Sequence, residues 1–495
     1  MNKQQALEVY TKQRRKMLAN RYASFVCSWD MQTDAAPQSV IADSEQMGVL
    51  GEQEYELFAD ACFREAVETL CGCAAELDEV LRHEVTDMKK HIDETAKIPK
   101  EEYAAYQRLT AEAYPVYVEA KRKNDFASFL PYLKKVVEYA RKTTQWLQTD
   151  KLSGYDVLLD MFEPNYTQKQ YDEFFALLKE KIVPVIKKAT AKTESVPEWA
   201  TQPYYKEGQR KFCEYLRDVM CFDKSRGIMK ESEHPFTSGF GTEDVRITNH
   251  YYENNFTSSI FSVIHETGHA LYEQQCDKSL NGTLSYGGAS MGMHESQSRF
   301  YENMIGRSAA FWKVHYKHLQ QHFPVQLKHV SESQFVKYVN RTERTFVRTE
   351  ADELTYPLHI MVRYELEKML IEGSLQAEDL PAAWKEKFTQ YFGITPPNDT
   401  LGVLQDVHWA YGNFGYFPTY ALGSAIAAQL YAAMQRDFDV EKSLESGTTQ
   451  RINEWLASHI HRYGCSKYPD EILRLATGED FDAHYYVDYL VKKFG

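Results

Sequence analysis

The sequence predicts a mainly α-helical protein with a small β-sheet, and three observations predict it. Apolar residues recur at spacings of three and four over most of the chain, and Pro and Gly are sparse, at 16 and 24 among 495 residues. Strand signals are rare, the clearest period-two alternation being Asp244-Val245-Arg246-Ile247-Thr248.

Taken in order, the amphipathic stretches predict helices over roughly 3–25, 42–82, 99–122, 131–148, 168–193, 206–220, 258–276, 291–305, 308–322, 332–350, 357–372, 419–436 and 450–463. Breaks fall at Asp34-Ala35-Ala36-Pro37, Glu163-Pro164-Asn165, Ser195-Val196-Pro197 and Thr395-Pro396-Pro397-Asn398. Pro115 and Pro184 lie inside two predicted helices and are expected to kink or split them, because proline lacks the N–H that the helix needs. In the strand, Val245 and Ile247 share one face, with Asp244, Arg246 and Thr248 on the other. Length alone would allow roughly two to four domains. No linker, low-complexity tract or internal repeat divides the chain, so residues 1–495 read as one body with helical subdomains.

The net charge of −14 carries no basic stripe or tail, which argues against a nucleic-acid partner or an anionic membrane surface. The N-terminus lacks the apolar core of a signal peptide, and no run of about eighteen apolar residues could span a membrane. The eight Cys show no zinc-finger spacing. A soluble, reduced, cytoplasmic protein is expected.

Within the run from Phe256 to Cys276 stands His265-Glu266-Thr267-Gly268-His269. Helical residues four apart share a face, so His265 and His269 can hold one metal ion while Glu266 leans toward water beside it. Phe261, Ile264, Leu271 and Tyr272 keep helical spacing around the motif. Gly268 is a weak helix former, at about 1 kcal/mol against Ala, and its missing side chain would let another segment approach closely. A catalytic zinc site needs a third protein ligand and an open position. Glu273 is too distant, about 12 Å along the helix from His265. Glu295 is the leading candidate, on a helix returning after the loop Ser285-Tyr286-Gly287-Gly288-Ala289-Ser290, with His294 and Glu302 as alternatives. The Asp244–Thr248 strand precedes the metal motif where many zinc peptidases place an edge strand that pairs with extended substrate.

With these residues in hand, the chain resembles the carboxypeptidase Taq family of metal-dependent carboxypeptidases. Five motifs appear in order: His234-Pro235-Phe236; the Asp-x-Arg-x-Thr strand at 244–248; His294-Glu295-Ser296-Gln297; Arg348-Thr349-Glu350-Ala351-Asp352; and Gly402-Val403-Leu404-Gln405. Weaker similarity reaches both ends, from Trp29-Asp30 through Phe129-Leu130-Pro131 to Phe162-Glu163-Pro164. Departures are small: Val347 stands where the family commonly has Ile, and Ala36-Pro37 where it has two prolines. The resemblance favours Glu295 as the third ligand. It implies a single catalytic domain, a helical fold whose small sheet lines a deep groove, one zinc ion per subunit, a homodimer, and removal of single residues from peptide C-termini with broad preference. Cobalt or manganese would suit the same ligands.

On that basis Glu266 is the expected general base, with Tyr420 or Tyr416 as oxyanion donor and His408 as a neighbouring donor. Arg348 and Arg246 are the candidates for the substrate's terminal carboxylate, because a guanidinium matches it bidentately. Either could instead be a structural ion pair, with Asp352 and Asp244 near them in sequence. His234 and Gln405 join the expected substrate-binding set through their motifs. Glu273 and Asp352 are expected either to orient the metal-binding histidines or to be ordinary surface carboxylates. His315, His318 and His322 and the His459/His461 pair read as solvated surface. The competing readings are an endopeptidase or dipeptidase on the same site, or a non-catalytic peptide-binding helical protein.

Overall fold

The computed structural model describes residues 1–191 and 195–495, with the side chains of residues 40 and 41 outside the description. Helices dominate, as the periodicity predicts, and the strands among the described residues form one small sheet. Strand β1 (Met229–Glu231) runs parallel to β3 (Val245–Asn249), and β2 (Thr237–Gly239) pairs antiparallel on its other side, with Thr237 opposite Ile247. The strand expected at the edge is therefore the middle one. Val245 and Ile247 are fully buried, which is why their alternation was so legible; the free edges belong to β1 and β2.

Several expected helices are redrawn. The 42–82 stretch divides into Val40–Ala59 and Ala61–Gly72, because Asp60 turns out of the helix and its side chain caps the next one at Phe63. Asp78 does the same for the helix Glu79–Lys97. Pro115 and Pro184 interrupt neither Lys100–Lys123 nor Gln168–Thr190. The expected helix 168–193 ends at Thr190, and its last two residues lie outside the described residues. The expected 332–350 helix stops at Val339, because long-range partners claim the segment beyond it: Gln405 Nε2 donates to the Phe346 carbonyl, and its Oε1 accepts from the Arg348 N–H. The helix predicted over 291–305 is α-helical only over Met291–Arg299 and widens into a π-helical stretch over Phe300–Gly306.

The N-terminal helices close around their own apolar cluster, including Tyr10, Phe63, Leu70 and Val85. A larger core runs from Ala113 to Leu490 and encloses the helix Phe256–Gln274, buried on nearly all sides. Each fully buried aliphatic or aromatic side chain contributes about 1.5–3 kcal/mol, so this helix is a firmly anchored platform for a precise site. None of the described helices is long and apolar enough to cross a membrane.

Candidate metal centre and active site

Three helices build the centre, and glycines set their spacing. Where the helix Met291–Arg299 crosses Phe256–Gln274, a Cβ on Gly268 would lie 2.8 Å from Ser298 Cα and 2.9 Å from the Gln297 carbonyl oxygen. From the other side comes the helix Phe417–Asp437, whose Gly423 would place a Cβ 2.7 Å from that of Glu295. The close approach expected at Gly268 is thus realised, and the helix that carries Glu295 lies between two glycine faces.

The ligand-type atoms of His265, His269 and Glu295 all lie within 4.8 Å of one another. Glu295 Oε2 is 3.7 Å from His265 Nε2 and 3.5 Å from His269 Nε2. The two histidine side chains keep 18% and 16% exposure, so the cluster is reachable from solvent. A convergent His-His-carboxylate set on rigid helices suits a divalent ion of the zinc type.

Each histidine is held from behind. His265 Nδ1 lies 3.0 Å from Glu302 Oε2. His269 Nδ1 lies 2.6 Å from His294 Nδ1, and His294 Nε2 is 2.8 Å from Glu273 Oε1. One tautomer set satisfies every contact: His269 donates from Nδ1 to His294, and His294 donates from Nε2 to Glu273, leaving His269 Nε2 facing Glu295. His294 and Glu302, the alternative ligands, lie behind the two histidines rather than in the cluster with Glu295, and Glu273 reaches His269 only by way of His294. Asp352 has another role. Its carboxylate accepts from the N–H groups of Glu343, Leu354 and Thr355 and caps the approach to the helix Tyr356–Glu372.

Electrostatics match the geometry. Burial opposes ionisation of Glu295, but Arg299 and the histidines hold it well below the usual carboxylate range. Burial pulls His269 down to about 3, so its ring is neutral and free to ligate. Burial raises the Glu266 carboxyl. Its Oε2 accepts a 2.6 Å hydrogen bond from the Thr237 hydroxyl on β2, which fixes its aim beside the two histidines.

The opposite wall is built around Asp406. That carboxylate receives Arg348 at 2.9 Å and Arg363 at 2.5 Å, while Gln405 Oε1 accepts from Arg363 at 2.7 Å. Arg348 is nearly buried, and its guanidinium lies 4.9 Å from the centroid of the Tyr420 ring. Its ionic partner is Asp406 rather than the nearby Asp352. Gln405 directs its whole amide inward, with Nε2 donating to backbone carbonyls. His408 Nε2 stands 3.4 Å from the Tyr420 hydroxyl, and its buried Nδ1 has no partner among the described residues. Burial draws His408 down to about 4 and lifts the Tyr420 and Tyr416 phenols, so all three are neutral hydrogen-bonding groups at pH 7. Tyr416 packs edge-on against Tyr420. Arg246 pairs with its neighbour Asp244 at 2.7 Å and lies over Phe25 and Trp29, and the His234 side chain is exposed.

One member of each of two histidine sets differs from the solvated surface expected of it, while His318 is exposed and His322 and His459 are partly so. His315 is buried beside the Tyr215 hydroxyl at 2.8 Å, and His461 is buried between Gln275 and Gln297. Residues that sequence reasoning passed over are Thr237, Arg299, Arg307, Arg363 and Asp406. Arg299 had a signal, standing four residues after Glu295 and three before Glu302 on one helical face. Thr237 and Asp406 had none, since their partners lie far away in sequence.

Comparison with known proteins covers nearly the whole chain. A family model described as carboxypeptidase Taq (M32) metallopeptidase matches residues 9–494. Carboxypeptidase 1 of Bacillus subtilis (strain 168) is 41% identical over 469 residues, covering 94% of this chain and 93% of that protein. Thermostable carboxypeptidase 1 of Pyrococcus furiosus is 34% identical over 484 residues, covering 97% and 96%. The crystal structure of an M32 carboxypeptidase from Deinococcus radiodurans R1 superposes with a TM-score of 0.95 at 30% identity, covering 99% of each chain.

Proposed function

This chain belongs to the carboxypeptidase Taq (M32) family of metallopeptidases, and from that premise we propose that it releases single amino acids from peptide C-termini with broad preference. The observation that carries the proposal is the His265, His269, Glu295 cluster with Glu266 on the same helix, aimed by Thr237. His265, His269 and Glu295 would hold one divalent ion, zinc in the first instance and cobalt or manganese as substitutes. Such an ion contributes Lewis acidity, bringing the pKa of a water to about 7 and polarising the scissile carbonyl.

Glu266 is the proposed general base. It takes a proton from the attacking water at its carboxylate and returns it to the leaving amine. Tyr420, protonated and next to His408, is the proposed donor to the developing oxyanion, with Tyr416 beside it. Arg348 is the first candidate for the terminal carboxylate, because its charge stands against Tyr420; Arg246, His234 and Gln405 complete the proposed substrate-binding set. Gln405 acts there by holding the Arg348 backbone. The free outer side of β2, which carries Thr237, is the proposed strand for an extended peptide.

We further propose that residues 1–495 work as one catalytic unit in a cytoplasmic homodimer, which light scattering on the purified protein would test. The defining experiment compares a peptide with its C-terminal amide on metal-loaded enzyme, with products read by mass spectrometry. Stepwise loss of C-terminal residues from the free acid alone supports the proposal. Equal cleavage of the amide, or release of dipeptides or internal fragments, overturns it.

A further inference from the structure

Glu295 has two carboxylate oxygens with different surroundings. Oε2 faces both histidine Nε2 atoms and accepts from the Ser298 hydroxyl at 3.2 Å. Oε1 is turned away and accepts from Arg299 Nε at 2.7 Å. The same guanidinium donates through Nη1 to Glu302 Oε2 at 3.1 Å, the atom that also lies 3.0 Å from His265 Nδ1. Arg299 thus closes a ring, from Glu295 through its own fork to Glu302, on to His265 and back to Glu295. Tyr356 lies 4.4 Å from the guanidinium and covers the fork.

The fold supports this ring at two further points. Glu302 sits in the π-helical stretch Phe300–Gly306, and Arg307, five residues after it, donates to Glu302 Oε1 at 2.9 Å. In an α-helix residues five apart diverge by about 140°, so the wider turn is what brings this pair together. At Gly423 the neighbouring helix leaves room for the Glu295 stem, since a Cβ there would lie 2.7 Å from Glu295 Cβ and 2.8 Å from its Cγ.

We propose that Arg299 is a positioning residue that holds Glu295 Oε1 out of the metal centre, so that the third ligand presents one oxygen and a fourth position stays open. The inference rests on the ligand assignment proposed above. Its physical basis is the planar fork. Only a guanidinium can donate in two fixed directions to two carboxylates; an ammonium supplies charge without that geometry. Without the fork, Oε1 is free to turn inward beside Oε2, and Glu302 loses one of the donors that aim it at His265.

Arg299→Met and Arg299→Lys, titrated with Co2+ alone and followed by visible absorption, test it. Four-coordinate Co2+ absorbs more strongly than five- or six-coordinate Co2+, so the band reports the number of ligands independently of turnover. Arg299→Met is expected to bind Co2+ about 10–100-fold more weakly and to show a weaker band per bound ion. Arg299→Lys is expected to show the weaker band while recovering part of the affinity. A band per bound ion equal to the parent's in both variants overturns the proposal, even if their thermal stability falls, since that pattern marks a merely structural ion pair. If Arg299→Met fails to fold, the Lys band alone decides in the same sense. Failure of the ligand assignment looks different: the parent protein itself would not bind one Co2+ per chain, or Glu295→Ala would leave its affinity intact.

Discussion

The Thr237 hydroxyl on β2 donates to Glu266 Oε2 at 2.6 Å, joining the sheet to the proposed general base. A hydrogen bond to a charged group is worth about 1.5–3 kcal/mol, roughly 10–100-fold in rate if it acts in the transition state. Thr237→Val keeps the shape and removes the donor, and it is expected to lower kcat by about tenfold or more with metal content unchanged. Glu266→Gln should cost about 10²–10⁴-fold while retaining metal. Steady-state kinetics with metal analysis check both, and undiminished turnover in Glu266→Gln would falsify the mechanism.

Gly268→Ala should damage the centre more than the fold. Alanine gains about 1 kcal/mol of helix propensity, but its methyl would meet backbone atoms of Gln297 and Ser298 below 3.0 Å, where nothing flexible can yield. Overpacking of this kind costs about 1–3 kcal/mol, so the clash wins. Moving the Met291–Arg299 helix carries Glu295 away from both histidines. The expected outcome is a folded protein that loses its ion on gel filtration.

His294 stands between His269 and Glu273, so removing it leaves the His269 ring without its partner at Nδ1 and takes the imidazole donor from the buried Glu273 carboxylate. His294→Phe is expected to weaken metal binding by about 10–100-fold. Metal titration of the purified variant measures this. An affinity equal to the parent's would refute the orienting role.

Glu163 is fully buried at the start of the helix that carries Glu295, where it accepts from Ser290 Oγ at 2.6 Å and the Gly292 N–H at 2.8 Å. Burial raises its pKa to about 7 from the ordinary 4.5, although both hydrogen bonds oppose the shift. Because the folded state binds the proton more tightly, this group's contribution is full below about pH 4.5 and is lost as pH rises through about 7. The window is worth about 3 kcal/mol. Glu367, raised in the same way to about 7, is common to parent and variant and cancels in their difference. Melting Glu163→Gln beside the parent from pH 5 to 8 should show the parent losing stability relative to the variant as pH rises. A pH-independent difference would contradict the assignment.

Much of the helical frame was legible because amphipathic spacing is a local property. It failed where a capping Asp or a distant partner intervened: Asp60 and Asp78 restarted helices, and Gln405 drew 346–348 out of one. The Val245/Ile247 alternation located a strand without saying whether it was edge or centre, since alternation reports burial and not neighbours. Glu302 shows the same limit within the site. Its proximity to the centre could be read from helical spacing, but whether it would ligate or orient depended on which side of His265 it approached.

By itself, the sequence determined the pair His265 and His269 with Glu266 between them, because four-residue spacing on a helix is geometry written into the chain. It also determined, through five ordered motifs between His234 and Gln405, the resemblance that pointed to Glu295. Tertiary structure alone decided how that pair became a centre: Gly268 and Gly423 let two helices close on Glu295, Thr237 came across from the sheet, and the π-helical stretch set Glu302 and Arg307 together. Contacts between distant segments depend on which surfaces can approach without a clash, and no local pattern encodes that.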